Sequence, residues 1–214
     1  MISDLLERLC RQGAWRLGEV VVVPVTSGQV ELRHHSDENT APGSGLRPLE
    51  RPEELRDLVR YDEAGRYRPL KGAPTLPRGW IFTAGDARAL QQALDFVYPG
   101  ATASWAAQQH GELRVVDLRV TLNRQTGMYR VTQKITNEQA DRLVGRFCRS
   151  DEGCLRTILW RLDRDRPVTS LPAAKFDPAA DQLGRAGRHL PIFCAEACNL
   201  LVAEARAVVK QKPA

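Results

Sequence analysis

The 214-residue chain lacks the features that mark membrane and secreted proteins. No span of about 20 consecutive apolar residues is present, so a transmembrane helix is not expected. The N-terminus also lacks a basic start followed by an apolar core and a small-residue cleavage site, so a secretory signal peptide is not expected. These absences predict a cytoplasmic location, where stable disulfides are rare.

Motifs of common enzyme chemistry are also missing. The chain has no phosphate-binding loop, dinucleotide fingerprint, nucleophile elbow or spaced histidine-carboxylate metal motif. Only four histidines occur, and the adjacent His34 and His35 have no matching second pair. The sequence therefore identifies no catalytic residue.

Length and composition predict two small domains. A chain of 214 residues exceeds one typical domain of about 100–150 residues, and its 43% hydrophobic content is enough to fill real cores. We predict an α+β fold with one domain over residues 1–112 and a second, helical and hairpin domain over residues 113–214.

Apolar periodicity assigns the elements of the first domain. The predicted elements are a first helix carrying Ile2 to Leu9, strands at 19–25 and 29–33, a short helix at 52–61 and a stronger helix at 86–98. Residues 34–51 are polar and turn-rich, so they are predicted to form an exposed loop.

The second domain is predicted to open with a hairpin, whose strands lie at 115–120 and 128–132. Thr136 and Gln139 form a capping box before a helix that ends at Cys148. A further helix is predicted to start at Cys154, a long loop to cover 163–190, and a last helix to cover 191–210.

Four of the five cysteines form two spaced pairs, Cys148-x5-Cys154 and Cys194-x3-Cys198. Four thiolates complete a shell around a soft metal or an iron-sulfur cluster. The first spacing is wider than the two to four residues usual in structural zinc sites, which disfavours zinc. Cys10, beside apolar helix positions and far from the others in sequence, is predicted to lie in a core.

The predicted geometry brings the thiolates to helix ends. Cys194 and Cys198 stand at i and i+4, where Cβ atoms are roughly 5–6 Å apart on one face of a helix. Both lie near that helix's N-terminus, where the dipole favours thiolate. Buried core cysteines or two disulfides are the alternatives, but clustered thiols kept reduced point to metal.

Two resemblances bear on the type of metal site. The cysteine spacing is similar to the 4Fe-4S ligand pattern of sirohaem sulfite and nitrite reductases. The chain also resembles the C-terminal half of multidomain sirohydrochlorin cobaltochelatase-like proteins, in which a stabilising domain precedes a 4Fe-4S domain. The stretches that carry this second resemblance are Arg124–Arg130, Arg146–Arg149, Gly153–Trp160 and Cys194–Ala205.

The resemblance implies that Cys148, Cys154, Cys194 and Cys198 ligate one 4Fe-4S cluster. It does not imply chelatase activity, because 214 residues leave no room for the chelatase modules that precede these domains in the family. The resemblance also suggests a link to tetrapyrrole or cobalamin-type metabolism.

Charge distinguishes the two halves of the chain. Residues 1–112 have 13 Lys/Arg against 15 Asp/Glu, whereas residues 113–214 have 18 against 11. We expect Arg146, Arg149 and Arg156, near ligands in sequence, to offset the cluster's negative charge, with His189 as a further neighbour. The same surface would attract an acidic redox partner protein or an anionic tetrapyrrole.

Nucleic-acid binding is disfavoured, since the whole chain is only +5, acidic residues interrupt the basic ones, and no recognised binding motif occurs. The main hypothesis is an electron-transfer or redox-responsive module. The alternative is an adaptor in which a structural cluster, or zinc, holds the fold while the protein binds a partner. Four cysteine ligands argue against a cluster with one iron open to substrate.

Overall fold

The computed structural model describes residues 2–25, 28–40, 45–61, 64–67, 76–112, 118–122, 127–147, 159–160, 168–169, 188–190, 192 and 197–211. The chain divides into two compact units. The first consists of Met1–Ala106 and Ala179–Pro191, and the second of Ala107–Pro178 and Ile192–Ala214. Helices and strands both occur, and the predicted α+β class is confirmed. Residues 113–117 lie outside the described ranges, and the predicted boundary between 112 and 113 stays a prediction.

A mixed sheet forms the centre of the first unit. Its strands among the described residues are β1 (Trp15–Leu17), β2 (Val20–Pro24), β3 (Val30–His34), β4 (Arg47–Leu49), β5 (Trp80–Ala84) and β8 (Arg188–Leu190), in the order β4-β5-β3-β2-β1-β8. The β1/β2, β2/β3 and β3/β5 pairs are antiparallel. The two outer pairs, β4/β5 and β1/β8, are parallel.

Helices pack on this sheet and on one another. They are α1 (Ile2–Arg11), α2 (Pro52–Arg60), α3 (Ala87–Val97) and α4 (Ala101–Gln109), with a short 3-10 helix at His35–Asp37. Asp86 caps α3, since its carboxylate accepts a hydrogen bond from the Ala89 N–H at 2.7 Å. Leu6, Leu32 and Leu94 are fully buried in the core. The predicted helices α1, α2 and α3 and the β2–β3 hairpin are confirmed.

The prediction of an exposed loop over residues 34–51 was wrong in part. His34 is buried at the end of β3, and Leu49 is buried in β4. Two hydrogen bonds to Gly79 hold this region: the Asp37 carboxylate accepts from the Gly79 N–H at 2.8 Å, and the backbone N–H of Arg47 donates to the Gly79 carbonyl at 2.8 Å. The polar composition of residues 34–51 gave no sign of these long-range contacts.

The second unit contains a smaller helical core. Its described elements are α5 (Leu118–Leu122), a 3-10 helix at Gly127–Lys134, α6 (Asn137–Phe147), the paired strands β6 (Leu159–Trp160) and β7 (Val168–Thr169), and α7 (Asn199–Lys210). Side chains of α5, α6 and α7 meet in one hydrophobic cluster, formed by Leu118, Leu122, Ile135, Ala140, Leu143, Val144, Leu201, Val202 and Ala205.

Two predictions for the second unit were wrong, and a third lies outside the described residues. The predicted hairpin over 115–132 is helical where it is described, because Leu118 and Leu122, at i and i+4, are both fully buried. The helix start predicted at Cys154 lies outside the described residues, and Trp160, further along, pairs with Val168 in a strand. The predicted loop over 163–190 includes strands β7 and β8.

The predicted capping box of α6 is confirmed. Thr136 Oγ1 accepts from the Gln139 N–H at 3.2 Å, and Gln139 Oε1 accepts from the Thr136 N–H at 2.8 Å. This reciprocal pair satisfies two donors that have no partner within the helix. Among the described helices, none combines the length and apolarity needed to cross a bilayer.

Candidate metal centre

Of the four predicted ligands, Cys198 lies within the described residues, whereas Cys148, Cys154 and Cys194 lie outside them. Cys198 is the N-cap of α7, with φ −63° and ψ 158°, and its carbonyl accepts from the Val202 N–H at 3.1 Å. Within the described residues the helix predicted over 191–210 begins at Asn199, so the prediction that Cys198 itself is helical was wrong. The predicted spacing of Cys194 and Cys198 on one helix face stays a prediction, because Cys194 lies outside the described residues.

The setting of Cys198 fits a thiolate ligand. The side chain is exposed and makes no capping hydrogen bond to the first turn of α7. The dipole at the N-terminus of a helix favours negative charge placed beside it. A buried core cysteine is excluded at this position, and Cys198 forms no disulfide within the described part of the chain.

The chain segments that carry two of the predicted ligands start from one hydrophobic cluster. Phe147, the last residue of α6, and Ala197, just before α7, both pack against the cluster formed by α5, α6 and α7. Cys148 and Cys198 are each the next residue in sequence. The fold thus anchors to one core the residue before Cys148 and the residue before Cys198.

The predicted neighbours of the cluster are only partly described. The Arg146 guanidinium lies over the Phe147 ring, 4.9 Å from its centroid, and the residue is exposed. Arg149 and Arg156 lie outside the described residues. His189 is in β8, paired in register with Arg16 of β1. Contact of these four residues with a cluster stays a prediction.

Cys10 has a different environment from Cys198. It is half-buried in α1 and lines a cavity of about 470 Å³, together with residues of the β2–β3 connection and the start of α3. Burial raises the pKa of the Cys10 thiol above its ordinary value. A thiol kept protonated is a poor metal ligand and nucleophile.

Sequence reasoning missed a second group of potential ligands, formed by Glu19, His34 and His35. Their ligand atoms lie within 4.8 Å of one another, and the two imidazole centroids are 4.5 Å apart. The β2–β3 register, which pairs Val20 with His34, brings Glu19 to this point. The predicted hairpin of strands 19–25 and 29–33 was the signal that could have revealed the proximity, because it places Glu19 opposite the end of the second strand.

The hydrogen bonds of this group favour a structural role. His34 Nδ1 accepts from the Ser36 N–H at 3.1 Å, so the neutral ring carries its proton on Nε2, 4.0 Å from Glu19 Oε2. A metal-bound histidine normally donates its other N–H to an acceptor, which is the opposite arrangement. Glu19 Oε2 also accepts from the Leu76 N–H at 2.6 Å, so the group ties together distant parts of the first unit.

His34 makes the stability of the first unit dependent on pH. Burial, together with the positive charge near it, lowers the pKa of His34 from 6.5 to about 4. As pH falls below 6.5, His34 becomes protonated in the unfolded chain but stays neutral in the folded chain. The free energy of unfolding therefore falls with pH until about pH 4, where folded His34 also takes up its proton. Between pH 6.5 and 4 we expect this titration to lower the free energy of unfolding by about 1–3 kcal/mol, measured by urea unfolding.

A matched pair of variants isolates this effect from the titration of carboxylates. His34→Gln removes the group, so the fall in stability between pH 6.5 and 4 should become shallower than in the wild type. His110→Gln, at an exposed position, should leave the pH dependence unchanged. Equal slopes in the wild type and the His34 variant would contradict the assignment.

Comparison with known protein families assigns a domain type to each half of the chain. Residues 3–109 match the DR2241 stabilising domain, and residues 110–207 match a 4Fe-4S iron-sulfur cluster binding domain. The chain therefore belongs to the DR2241 stabilising domain family and carries a 4Fe-4S cluster binding domain. The predicted resemblance to these two domains is confirmed.

Among solved structures, the chain is similar to DR2241 from Deinococcus radiodurans, with 32% sequence identity and a TM-score of 0.60. That protein is described as a multi-domain protein with structural similarity to chelatases and two additional novel domains. The match covers 99% of this chain and 41% of that chain. None of the curated proteins matches the chain.

Proposed function

We propose that this protein holds one 4Fe-4S cluster through Cys148, Cys154, Cys194 and Cys198 and acts as an electron-transfer or redox-responsive module. The observation that carries the proposal is the packing of Phe147 and Ala197 on one hydrophobic cluster. It anchors the residues before Cys148 and Cys198 to a shared core. The match of residues 110–207 to a 4Fe-4S domain supports the cofactor.

Each part of the chain has a role in this proposal. The cluster, when bound, supplies one-electron chemistry. Cys198 lies at the N-terminus of α7, where the helix dipole favours an anionic ligand set. Exposed basic residues, among them Arg119, Arg142 and Arg146, favour an anionic centre and attract an acidic redox partner protein.

Similarity to a protein with chelatase-like architecture supports a further element of the proposal. We place this module in tetrapyrrole or cobalamin-type metabolism in the cytoplasm, where an anionic tetrapyrrole is the alternative binding partner to an acidic protein. Residues 113–214 contain 18 basic and 11 acidic residues, and this net positive charge favours binding of either anionic partner. No catalytic residue is assigned.

The second candidate function is an adaptor whose cluster, or zinc ion, is structural. The small size of the α5–α6–α7 core favours this candidate, because small cores commonly depend on metal for stability. In such an adaptor, the metal would hold the cysteine segments together while the protein works by binding a partner.

The decisive experiment is anaerobic purification followed by iron and sulfide analysis, EPR and dye-coupled potentiometry. A redox module should contain labile sulfide and should be reduced and reoxidised reversibly without loss of iron. Stoichiometric zinc without sulfide would eliminate the cluster. A cluster that breaks down on every attempt at reduction would favour the adaptor.

Charge reversal near the first cysteine pair tests the electrostatic part of the proposal. A nearby arginine stabilises the more negative reduced cluster, so Arg146→Glu should lower the reduction potential. With a separation on the order of 10 Å in salt solution, the expected shift is on the order of 10–40 mV. Potentiometry at low and high ionic strength measures it, and the shift should be smaller at high salt.

Arg142→Glu is the matched control, since Arg142 is also exposed on α6 but lies four residues further from Cys148. The change in reduction potential for Arg142→Glu should be clearly smaller than that for Arg146→Glu. Equal shifts for the two variants would mean that only the overall charge of the unit matters, which would contradict a specific role for Arg146.

A further inference from the structure

The cavity that Cys10 lines is large enough for a small organic molecule. It has a volume of about 470 Å³ and lies between α1, the β2–β3 hairpin and the start of α3. Small-molecule sites in proteins typically occupy about 300–1,000 Å³. The described lining residues all belong to the first unit, whereas the cysteines assigned to the cluster belong to the second. The cluster therefore does not account for this cavity.

The buried part of the lining is apolar. Val30 and Leu90 are buried, and Pro24, Val25 and Cys10 are half-buried. A cysteine that keeps its proton behaves as a small apolar side chain. Water gains little from contact with such a surface, so this part of the cavity favours a ligand with an apolar body.

The exposed part of the lining is polar. Glu7 and Arg11 lie one turn apart on α1, Gln29 lies at the start of the second strand of the hairpin, and Asp86 is the N-cap of α3. Two carboxylates against one guanidinium give this rim a formal charge of −1. Its charge therefore favours a cationic group over an anionic one.

Both carboxylates can act on a ligand in the cavity. Burial is the main cause that raises the pKa of the Cys10 thiol, and the charge of Glu7 raises it further, so Glu7 already affects the cavity wall. Asp86 Oδ1 accepts the capping hydrogen bond from the Ala89 N–H at 2.7 Å. A ligand would meet the other oxygen of Asp86, Oδ2.

We propose that this cavity binds a small organic amine. Its apolar body lies against Val30 and Leu90, and its ammonium group pairs with Glu7 and Asp86. An aliphatic amine is protonated at neutral pH, since its pKa is about 10. This site is separate from the cluster and does not depend on the function proposed above.

Three probes with the same phenyl body and different charge test the ligand class: 2-phenylethylamine, 2-phenylethanol and phenylacetate. Each is titrated into the full chain and followed by saturation-transfer NMR. We expect a Kd on the order of 1 mM for the amine and binding at least about threefold weaker for the alcohol and the acid. An amine that binds no more tightly than the alcohol would overturn the proposal. So would the absence of binding by all three at roughly ten times that concentration.

A change of charge at the rim tests the pairing with the amine. Asp86→Asn removes the charge and keeps a favoured N-cap residue, so α3 should start as before. It should weaken the amine about two- to fivefold and leave the alcohol unchanged. Glu38→Gln is the matched control, because Glu38 is exposed in the same unit and does not line the cavity. Equal weakening in the two variants would contradict a specific pairing.

A change of volume tests whether the amine lies in this cavity. Gly85 lines it, and a Cβ at this position would meet no described atom within 4 Å. Gly85→Leu therefore adds volume without a clash at its Cβ and should weaken the amine roughly fivefold or more. Gly145→Leu, equally unobstructed in α6, should bind the amine as the wild type does.

Alkylation of Cys10 by N-ethylmaleimide gives a second readout of the location. Peptide mass spectrometry of the iron-loaded protein follows this residue alone, and the amine should slow its alkylation because both occupy the same cavity. An affinity for the amine that is unchanged by Gly85→Leu would overturn the proposal. Alkylation of Cys10 at the same rate with and without saturating amine would overturn it as well.

Discussion

Replacing Cys198 with serine is expected to abolish stable assembly of the 4Fe-4S cluster. Serine is a favoured N-cap residue, so Cys198→Ser preserves or improves the start of α7 while removing the thiolate. Loss of the cluster would then report the missing ligand, not a damaged helix. Iron and sulfide per chain should fall close to zero, and the visible absorption of the cluster should disappear.

Cys10→Ser is the matched control for this experiment. The thiol of Cys10 is half-buried in the first unit, and burial raises its pKa, which disfavours ligation. This variant should retain wild-type iron and sulfide. Retention of the cluster in Cys198→Ser together with its loss in Cys10→Ser would overturn the ligand set.

Removing iron is expected to unfold much of the second unit. The predicted ligands come from distant segments, 148–154 and 194–198, so the binding energy of the cluster contributes directly to folding. The α5–α6–α7 cluster is small, and Leu201, Val202 and Ala205 bury one side of α7 in it. Amides of α7 should lose roughly a hundredfold or more of their protection against hydrogen exchange.

The centre of the first unit provides an internal control in the same sample. Strands β3 and β5 pair with each other in a sheet whose core includes Leu32 and Phe82, and they should keep their protection without iron. Reconstitution with iron and sulfide should restore protection in α7. Unchanged protection of α7 in the iron-free protein would show that the cluster is not needed for folding.

Two measurements together distinguish the candidate functions: whether the cluster is reduced reversibly, and whether the second unit stays folded without iron. An adaptor requires that the second unit unfold without the metal but does not require reversible reduction. A redox module requires reversible reduction whether or not the iron-free unit stays folded. Potentiometry and hydrogen exchange on the same preparation therefore distinguish them without any knowledge of the physiological partner.

Local sequence patterns determined several elements correctly. Apolar residues at helical spacing identified α1, α2, α3 and α6, and the capping box of Thr136 and Gln139 located the start of α6. Consecutive valines identified the β2–β3 hairpin. The spacing of the four cysteines indicated the type of cofactor domain, and the match to a 4Fe-4S domain agrees with it. The helix and hairpin signals succeed because each depends on contacts within a few residues.

Only the tertiary structure decided the remaining elements. The strands β1, β4 and β8 have three residues each, too few for a periodic pattern, and their partners β2, β5 and β1 supply the hydrogen bonds. Leu118 and Leu122 lie in a helix because neighbouring helices bury both. Cys198 is the extended N-cap of α7, although composition predicted it inside a helix. Pairing and burial between distant segments outweigh local propensity, and a single sequence does not record which distant segments meet.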